Sequence, residues 1–393
     1  MDYKKYKKSR LSGLTSKPFM EVNLPLAGQF LKEEEVGNES SYPLTLSFCE
    51  QSSSVQVNEV INPDILFKKY FYKTGAISTL VNHFKETSKI IFDNFKCSKI
   101  VDLGCNDFSF LKNFIGKSDF ILGVDPSDVS LNNCPNGCKL ENDFFSKEKS
   151  DLIKDKHGQF DVVFSSNNFA HIENIRDYTE GISSLLTDDG VFVCEVHWAG
   201  TIINNMQFCF IYHEHMYYHT LKALNYLLND YGLYINDVDE IDIHGGSIRF
   251  FASKKQNPSK KVTAFLKKEM HLGLYDLQTY KEFSLKINNL KEQSKEFFSE
   301  QKKIGNRVFG YGASGQANTL MNIFEINKND LDFIIDDSPL KENLFTPISN
   351  IQIKNREFLN YEKPDSIYIL AYTFSEEIIN KNKNLNCLWK TPI

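Results

Sequence analysis

The stretch KIVDLGCND, residues 99–107, decides how the rest of the chain is read. A short apolar run that ends in Gly is a strand whose turn lets the backbone pass close beneath a ligand. Downstream, FILGVD (120–125), FDVVFSS (160–166) and GVFVCEV (190–196) are runs of the same length, separated by helix-like segments. Strands that alternate with helices make βαβ units and a parallel sheet, so the fold class is α/β. Upstream, Ile77, Leu80, Val81, Phe84, Ile91 and Phe95 recur at helical spacing.

Further out, IDIHGGSIRFFASKK (241–255) reads as a second strand pair. Val262, Phe265, Leu266, Leu277, Tyr280, Phe283, Ile287, Leu290 and Phe297 then hold a three- to four-residue period, which Gly273 interrupts, and predict long connecting helices. From Arg307 the strand–turn–helix signal begins again in RVFGYGASGQANTLMNIF, LDFIIDD and SIYILAYTF. The first seventy or so residues are punctuated by Gly, Ser and Pro and predict a small irregular lobe. The expected domains are therefore 1–69, 70–255, and 256–393 including the helical connector.

At 393 residues the chain is long enough for two or three domains, and 41% apolar with 24% charged residues excludes a disordered or fibrous class. Forty-five Lys and Arg against 51 Asp and Glu leave a net charge of −6, which disfavours nucleic acid. The cluster Lys4, Lys5, Lys7 and Lys8 is too short to reverse that field. No apolar run approaches the ~18 residues of a membrane helix, and MDYKKYKKSRLSG lacks the apolar core of a signal peptide. Eight cysteines without regular close spacing read as reduced thiols. These observations predict a cytoplasmic enzyme, a monomer or weak homo-oligomer, with neither nucleic acid nor membrane as partner.

In the first α/β lobe, Gly104 ends the first strand and Asp125 follows about 20 residues on, where a carboxylate can accept from both ribose hydroxyls. Asn106 and Phe108 crowd the position a pyrophosphate would need. An adenosine ligand without pyrophosphate fits better, and S-adenosylmethionine is such a ligand. Asn142-Asp143-Phe144 could meet an adenine edge and face, and Ser165-Ser166-Asn167-Asn168-Phe169-Ala170-His171 places polar groups at the end of the fourth strand. A lone His171 would read as a cap or core residue.

The segment Ile211-Tyr212-His213-Glu214-His215 carries the most chemistry. If extended, it sets Tyr212 and Glu214 on one face and His213 and His215 on the other. A His can take a proton near neutral pH, a neighbouring Glu can orient it, and a Tyr can donate to a developing enolate oxygen. A metal pair or a structural cluster are the competing readings. His244-Gly245-Gly246-Ser247-Ile248-Arg249 combines close-approach glycines with an Arg suited to phosphate, or forms a Gly bulge on an edge strand. Gly310-Tyr311-Gly312-Ala313-Ser314-Gly315 satisfies G-x-G-x-x-G, with Asp336 and Asp337 ending the next strand. Its amides could cradle NAD or the diphosphate of a nucleotide-linked substrate.

Four segments in order, NLPLAGQF with YPLTLSFC, VDLGCND, FIYHEHMYYHTL with HGGSIRF, and GYGASGQANTLMN with IIDDSP, resemble the nucleotide-sugar C-methyltransferases, which act at C-3 of branched deoxysugars. The resemblance covers nearly the whole chain. It implies a small zinc-binding-type N-terminal lobe, a Rossmann-like S-adenosylmethionine lobe and a second Rossmann-like lobe that helps hold the nucleotide sugar. It makes His215 the base, with Tyr212, Glu214 and His171 in support. It assigns Tyr72 and Thr74, in the segment 70–75, to the methyl donor together with Gly104, Asn106, Asp125, Asp143 and Asn168. The nucleotide-linked keto-sugar is left to His244, Ser247, Arg249, Gly312, Ser314 and Gly315.

Several positions depart from the family pattern. Its two C-x-x-C pairs fall here on Ser9, Ser12, Cys49 and Ser52, a single thiol among four. Hydroxyls are poor zinc ligands beside thiolates, so no metal is expected and the lobe should be held by packing alone. Gln316 stands where a basic residue is common, and Asn343 and Ile348 replace glycines. The implied reaction is proton abstraction alpha to a ketone, enolate formation and in-line methyl transfer. An O- or N-methyltransferase, an NAD-dependent oxidoreductase using the C-terminal glycines, and a non-catalytic scaffold are the rival functions.

Overall fold

The structure, a computed structural model, describes residues 2–62, 65–66 and 74–393. The chain forms two compact units, neither continuous in sequence. One comprises Met1–Lys17, Ser47–Thr201 and Met216–Asp276, and the other Pro18–Leu46, Ile202–His215 and Leu277–Ile393.

The N-terminal segment is more regular than its punctuated sequence suggests. It contains β1 (Tyr3–Lys5), β2 (Lys17–Leu24), β3 (Tyr42–Cys49), β4 (Ser54–Val57) and β5 (Glu59–Ile61). In the first unit β1 pairs antiparallel with β5. The chain leaves that unit at the start of β2 and returns to it within β3.

The remainder of the first unit starts with α1 (Ser78–Asn94), which buries Leu80, Phe84 and Ile91, as the helical spacing predicts. Strands β6 (Lys99–Leu103), β7 (Phe120–Val124), β8 (Lys139–Glu141), β9 (Phe160–Ser166) and β10 (Leu186–His197) alternate with α2 (Asp128–Asn133), α3 (Lys147–His157) and α4 (Ile175–Leu185). After β11 (Tyr217–Tyr218), which pairs with β4, come α5 (Leu221–Asn229), β12 (Tyr234–Ile241) and β13 (Ser247–Ser253). The seven main strands lie in the order β12-β13-β10-β9-β6-β7-β8. β13 alone runs opposite to the other six strands. Helices on its faces explain why these strands read as continuous apolar runs instead of alternating ones. Phe84, Phe108, Phe110, Phe114 and Phe164 meet in one core cluster with Ile100, Val162 and Val193. The winding reverses between β6 and β9, and a ligand crevice opens at the carboxyl ends of such neighbours.

The unit ends after α6 (Lys260–His271), where Gly273 adopts a φ of +70° before the chain enters the 27-residue α7 (Leu277–Lys303). The second unit holds β14 (Val308–Tyr311), α8 (Gly315–Phe324), β15 (Phe333–Asp336), β16 (Ile353–Asn355), β17 (Ser366–Ile369), α9 (Ser375–Lys381) and β18 (Leu388–Lys390). Its sheet, in the order β16-β15-β14-β17-β18, is wholly parallel. The fold is thus α/β with two Rossmann-like sheets. No helix among the described residues is long and apolar enough to cross a membrane.

Candidate active site

The crevice of the first unit is an open pocket at the carboxyl end of β6, lined among others by Thr74, Asp102, Gly104, Asn106, Asp107 and Ser166. Gly104 has a φ of +90°, and a Cβ there would lie 2.9 Å from the Asn168 side chain, so the turn admits glycine alone. Asn168 is fixed above it by donating to the Leu103 carbonyl at 3.1 Å and to the Tyr178 hydroxyl at 2.9 Å. Asp125 is nearly buried and accepts from the Asn106 amide at 2.9 Å and from the Ser127 amide at 2.8 Å. It therefore ties the first and second strand-end turns together. Asn106 accepts from the Thr74 amide and hydroxyl at 3.1 and 3.3 Å, and Asp107 accepts from the Gly75 amide at 2.7 Å. The turn that starts α1 is thereby anchored to the cavity rim. Asp143 sits farther out, paired with Lys149 at 3.1 Å beside the exposed Phe144. Tyr72 lies outside the described residues.

Sequence reasoning missed Asp102. Its side chain lines the cavity, only 3% of the residue is exposed, and Oδ1 has no hydrogen-bond partner among the described residues. Burial, reinforced by the negative charges of Asp125 and Glu195, holds this carboxyl protonated well above the usual aspartate range. The signal was present: an acid inside a buried strand is costly unless a partner arrives.

In the second unit, residues 212–215 form a turn, not the extended strand that alternation assumed. The His215 amide donates to the Tyr212 carbonyl at 3.0 Å, which brings the Tyr212 and His215 rings to 4.2 Å. His215 Nδ1 lies 3.0 Å from the Phe210 carbonyl. A carbonyl only accepts, so Nδ1 carries the proton and Nε2 keeps its lone pair. Into that lone pair the Tyr212 hydroxyl donates at 3.0 Å. The accepting nitrogen of His215 is thus defined by the backbone. His213 is buried and donates from Nε2 to the Pro43 carbonyl at 3.1 Å. Burial raises the Glu214 carboxyl to about 7, so it can hold or release a proton at neutral pH. His171, in the first unit, ends the single turn Phe169–His171 after Asn168 and is half-buried.

The expected substrate residues are placed less uniformly. Arg249 is buried, with Nε on Glu195 at 2.8 Å and Nη2 on the Thr87 hydroxyl at 2.7 Å, so these donors serve the protein interior. Ser247 donates to the Ile243 carbonyl at 3.1 Å, and burial lowers the His244 imidazole. In the second unit Gly312 has a φ of +93°, and a Cβ there would come within 2.5 Å of Ala371. Ser314 caps α8 by accepting from the Ala317 amide at 3.1 Å, while the Ala313 amide donates to Asp336 at 2.7 Å. Gly315 faces the Ala27 carbonyl, 3.1 Å from where its Cβ would be. Part of the glycine-rich turn is thus satisfied internally. Asn343 and Ile348 take φ of +65° and +66°, so the backbone keeps a glycine-type shape without glycine, and the branched Ile348 carries strain.

The four metal-ligand positions of the N-terminal lobe do converge. Ser12 Oγ lies 3.5 Å from Cys49 Sγ and 3.4 Å from Ser52 Oγ, while Ser9 and Ser52 reach Ser54 Oγ at 3.0 and 2.9 Å. Three neutral hydroxyls and one thiol do not fit zinc, which takes thiolate, imidazole or carboxylate donors. Among the described residues, no group of three or more His, Cys, Asp or Glu could hold a metal ion. A hydrogen-bonded hydroxyl knot, and not packing alone, joins these segments. A structural zinc contributes folding free energy directly; accordingly, EDTA should leave the melting temperature unchanged, and a chelator-induced fall would reveal a metal.

Known proteins match in the same arrangement. The model of a "Methyltransferase domain" matches residues 77–238, that of a "C-methyltransferase C-terminal domain" residues 242–388, and that of a "Putative zinc binding domain" residues 17–67. The C-methyltransferase NovU of Streptomyces niveus is 29% identical over 374 residues, spanning 91% of this chain and 87% of that protein. Among solved structures, an S-adenosylmethionine-dependent methyltransferase of Clostridium acetobutylicum covers 46% of this chain and 94% of its own at 13% identity and a TM-score of 0.36. Magnesium protoporphyrin IX methyltransferase of Synechocystis, with bound S-adenosylhomocysteine, covers 44% and 83% at 14% identity and a TM-score of 0.35. The tandem of a methyltransferase domain and a C-methyltransferase C-terminal domain, with a likeness to a C-methyltransferase along nearly the whole chain, shows this protein to be an S-adenosylmethionine-dependent methyltransferase that resembles the C-methyltransferases.

Proposed function

We propose that this methyltransferase methylates the carbon alpha to the ketone of a nucleoside-diphosphate-linked keto-deoxysugar, with His215 as the base. The observation that carries this reading is the oriented pair Tyr212–His215, whose Nε2 is set as the acceptor by the Phe210 carbonyl. His215 Nε2 takes the α-proton and the electron pair of that C–H bond moves into the enolate. As the carbon acid takes the place of the Tyr212 hydroxyl on Nε2, Tyr212 is released to donate to the enolate oxygen. The methyl donor supplies an electrophilic methyl on sulfonium, and the C–S electron pair leaves on S-adenosylhomocysteine. The enolate carbon forms the new C–C bond, the ketone returns, and His215 gives its proton to solvent.

Glu214 and His171 support the base, as the resemblance implies. The methyl donor is assigned to the first-unit cavity through Thr74, Gly104, Asn106, Asp125, Asp143 and Asn168, and the nucleotide sugar to His244, Ser247, Gly312, Ser314 and Gly315; a contact of Tyr72 with the donor is implied by the resemblance alone. The working division is 1–69, 70–255 and 256–393.

The test is incubation with S-adenosylmethionine and nucleoside-diphosphate-linked keto-deoxysugars, with the product followed by mass and carbon NMR. A new C–CH₃ resonance is expected. Tyr212→Phe should lower kcat by about 10²–10³-fold, the usual effect of removing one oxyanion donor. A methyl on oxygen or nitrogen, with Tyr212→Phe nearly silent, would overturn the reading, because such acceptors form no enolate.

A further inference from the structure

Behind the cavity of the first unit lies a buried charged network that the proposed chemistry does not use. In the strand register Ser166 stands opposite Glu195, and Glu195 opposite Arg249, so β9, β10 and β13 line up the three residues side by side. Glu195 is fully buried, and Oε2 accepts from the Ser166 hydroxyl at 2.8 Å. Its Oε1 lies 2.8 Å from His83 Nε2 and 2.8 Å from Arg249 Nε, and it accepts from the Thr87 hydroxyl at 3.3 Å. His83 and Thr87 sit four residues apart, on one face of α1. One carboxylate therefore gathers two strands and a helix. Arg249 and His83 hold it ionised in spite of its burial.

The network ends at the cavity. Ser166 lines the cavity and accepts from Asn167 Nδ2 at 3.0 Å, and the Asn167 amide donates to the Glu195 carbonyl at 2.9 Å. Phe84, the neighbour of His83 on α1, lines the same cavity. We propose that Glu195 is a positioning residue for the methyl donor: it fixes the Ser166 hydroxyl on one wall of the cavity and α1 on another. This rests on the reading of the cavity as the methyl-donor site. A buried ion pair contributes little net stability compared with an apolar replacement. Its directional bonds instead fix one rotamer and one helix position.

The test is calorimetric titration of the full chain with S-adenosylhomocysteine, comparing wild type with Ser166→Ala, Ser166→Thr, Glu195→Gln and the Ser166→Ala/Glu195→Gln double variant. Removing a hydrogen bond to a charged group should weaken binding about tenfold in Ser166→Ala and in Glu195→Gln. Ser166→Thr, which keeps the hydroxyl, should restore it. The double variant should bind no more weakly than the weaker single one, since both changes break the same link. Wild-type affinity in folded Glu195→Gln and Ser166→Ala, or losses that multiply in the double variant, would overturn the proposal. If Glu195→Gln fails to fold, equal affinities for Ser166→Ala and Ser166→Thr overturn it. Failure of the wild type itself to bind would instead overturn the assignment of the cavity.

Discussion

His215→Asn should leave S-adenosylhomocysteine binding intact while stopping exchange of the substrate's α-proton with solvent deuterium. Methyl transfer falls by about 10²–10⁴-fold, the contribution of a positioned base. Asparagine retains a polar side chain of similar reach but has no basic nitrogen. The Phe210 carbonyl can still meet an amide NH₂, so the local fold should hold. The expected pattern separates the two proposed functions, whose residues lie in different units: the cavity proposed for the donor in the first, and His215 in the second. Exchange at the wild-type rate in His215→Asn would remove His215 from the role of base. Loss of exchange with loss of donor binding would mean that the substitution acts on the fold.

Asp102→Asn should make the protein more stable and a weaker binder at once. In the unfolded chain an aspartate titrates near 3.9, whereas in the fold Asp102 keeps its proton to much higher pH. The folded chain then binds more protons than the unfolded one, so stability falls as pH rises from about 4 through the folded value. An amide carries no such charge, and the melting temperature of Asp102→Asn should gain on wild type as pH increases. Binding should move the other way. A donor carrying an ammonium would meet Oδ1, which has no partner among the described residues, and a charge-assisted bond of about 1.5–3 kcal/mol corresponds to about 10–100-fold in Kd for S-adenosylhomocysteine. Because the ammonium favours the ionised acid, wild-type binding should release a proton, measurable by titration in buffers of different ionisation enthalpy. Unchanged affinity and equal proton release in the variant would show that the carboxyl does not meet the ligand.

What could be read from the residues follows the range of the interactions concerned. The spacing of Leu80, Phe84 and Ile91 predicted α1 because helical burial is a local pattern. The places of Gly104 and Asp125 at the strand ends were legible because a strand-end turn sets both positions. The turn at Tyr212 escaped because alternation in four residues cannot distinguish a strand from a turn closed by one amide. Arg249 looked like a phosphate ligand because Glu195, its partner, lies 54 residues away in sequence and meets it only through the register of β10 and β13. Asp102 was hidden by being ordinary in composition and unusual only in its burial. The hydroxyl knot was approached from the wrong side: the lost thiols were visible, but not the way Ser54 joins Ser9 and Ser52.

The interleaving of the two units also limits how such enzymes can be recombined. A single crossover at the junction of Asp276 and Leu277 would exchange the last 117 residues (393 − 276) of the second unit. It would leave Pro18–Leu46 and Ile202–His215, including the turn that carries His215, from the original parent. A chimera made that way inherits His215 from one parent and its glycine-rich turn from the other. Transplanting the whole unit takes five joints in place of one, so specificity in this architecture should change by substitution within units more readily than by shuffling them.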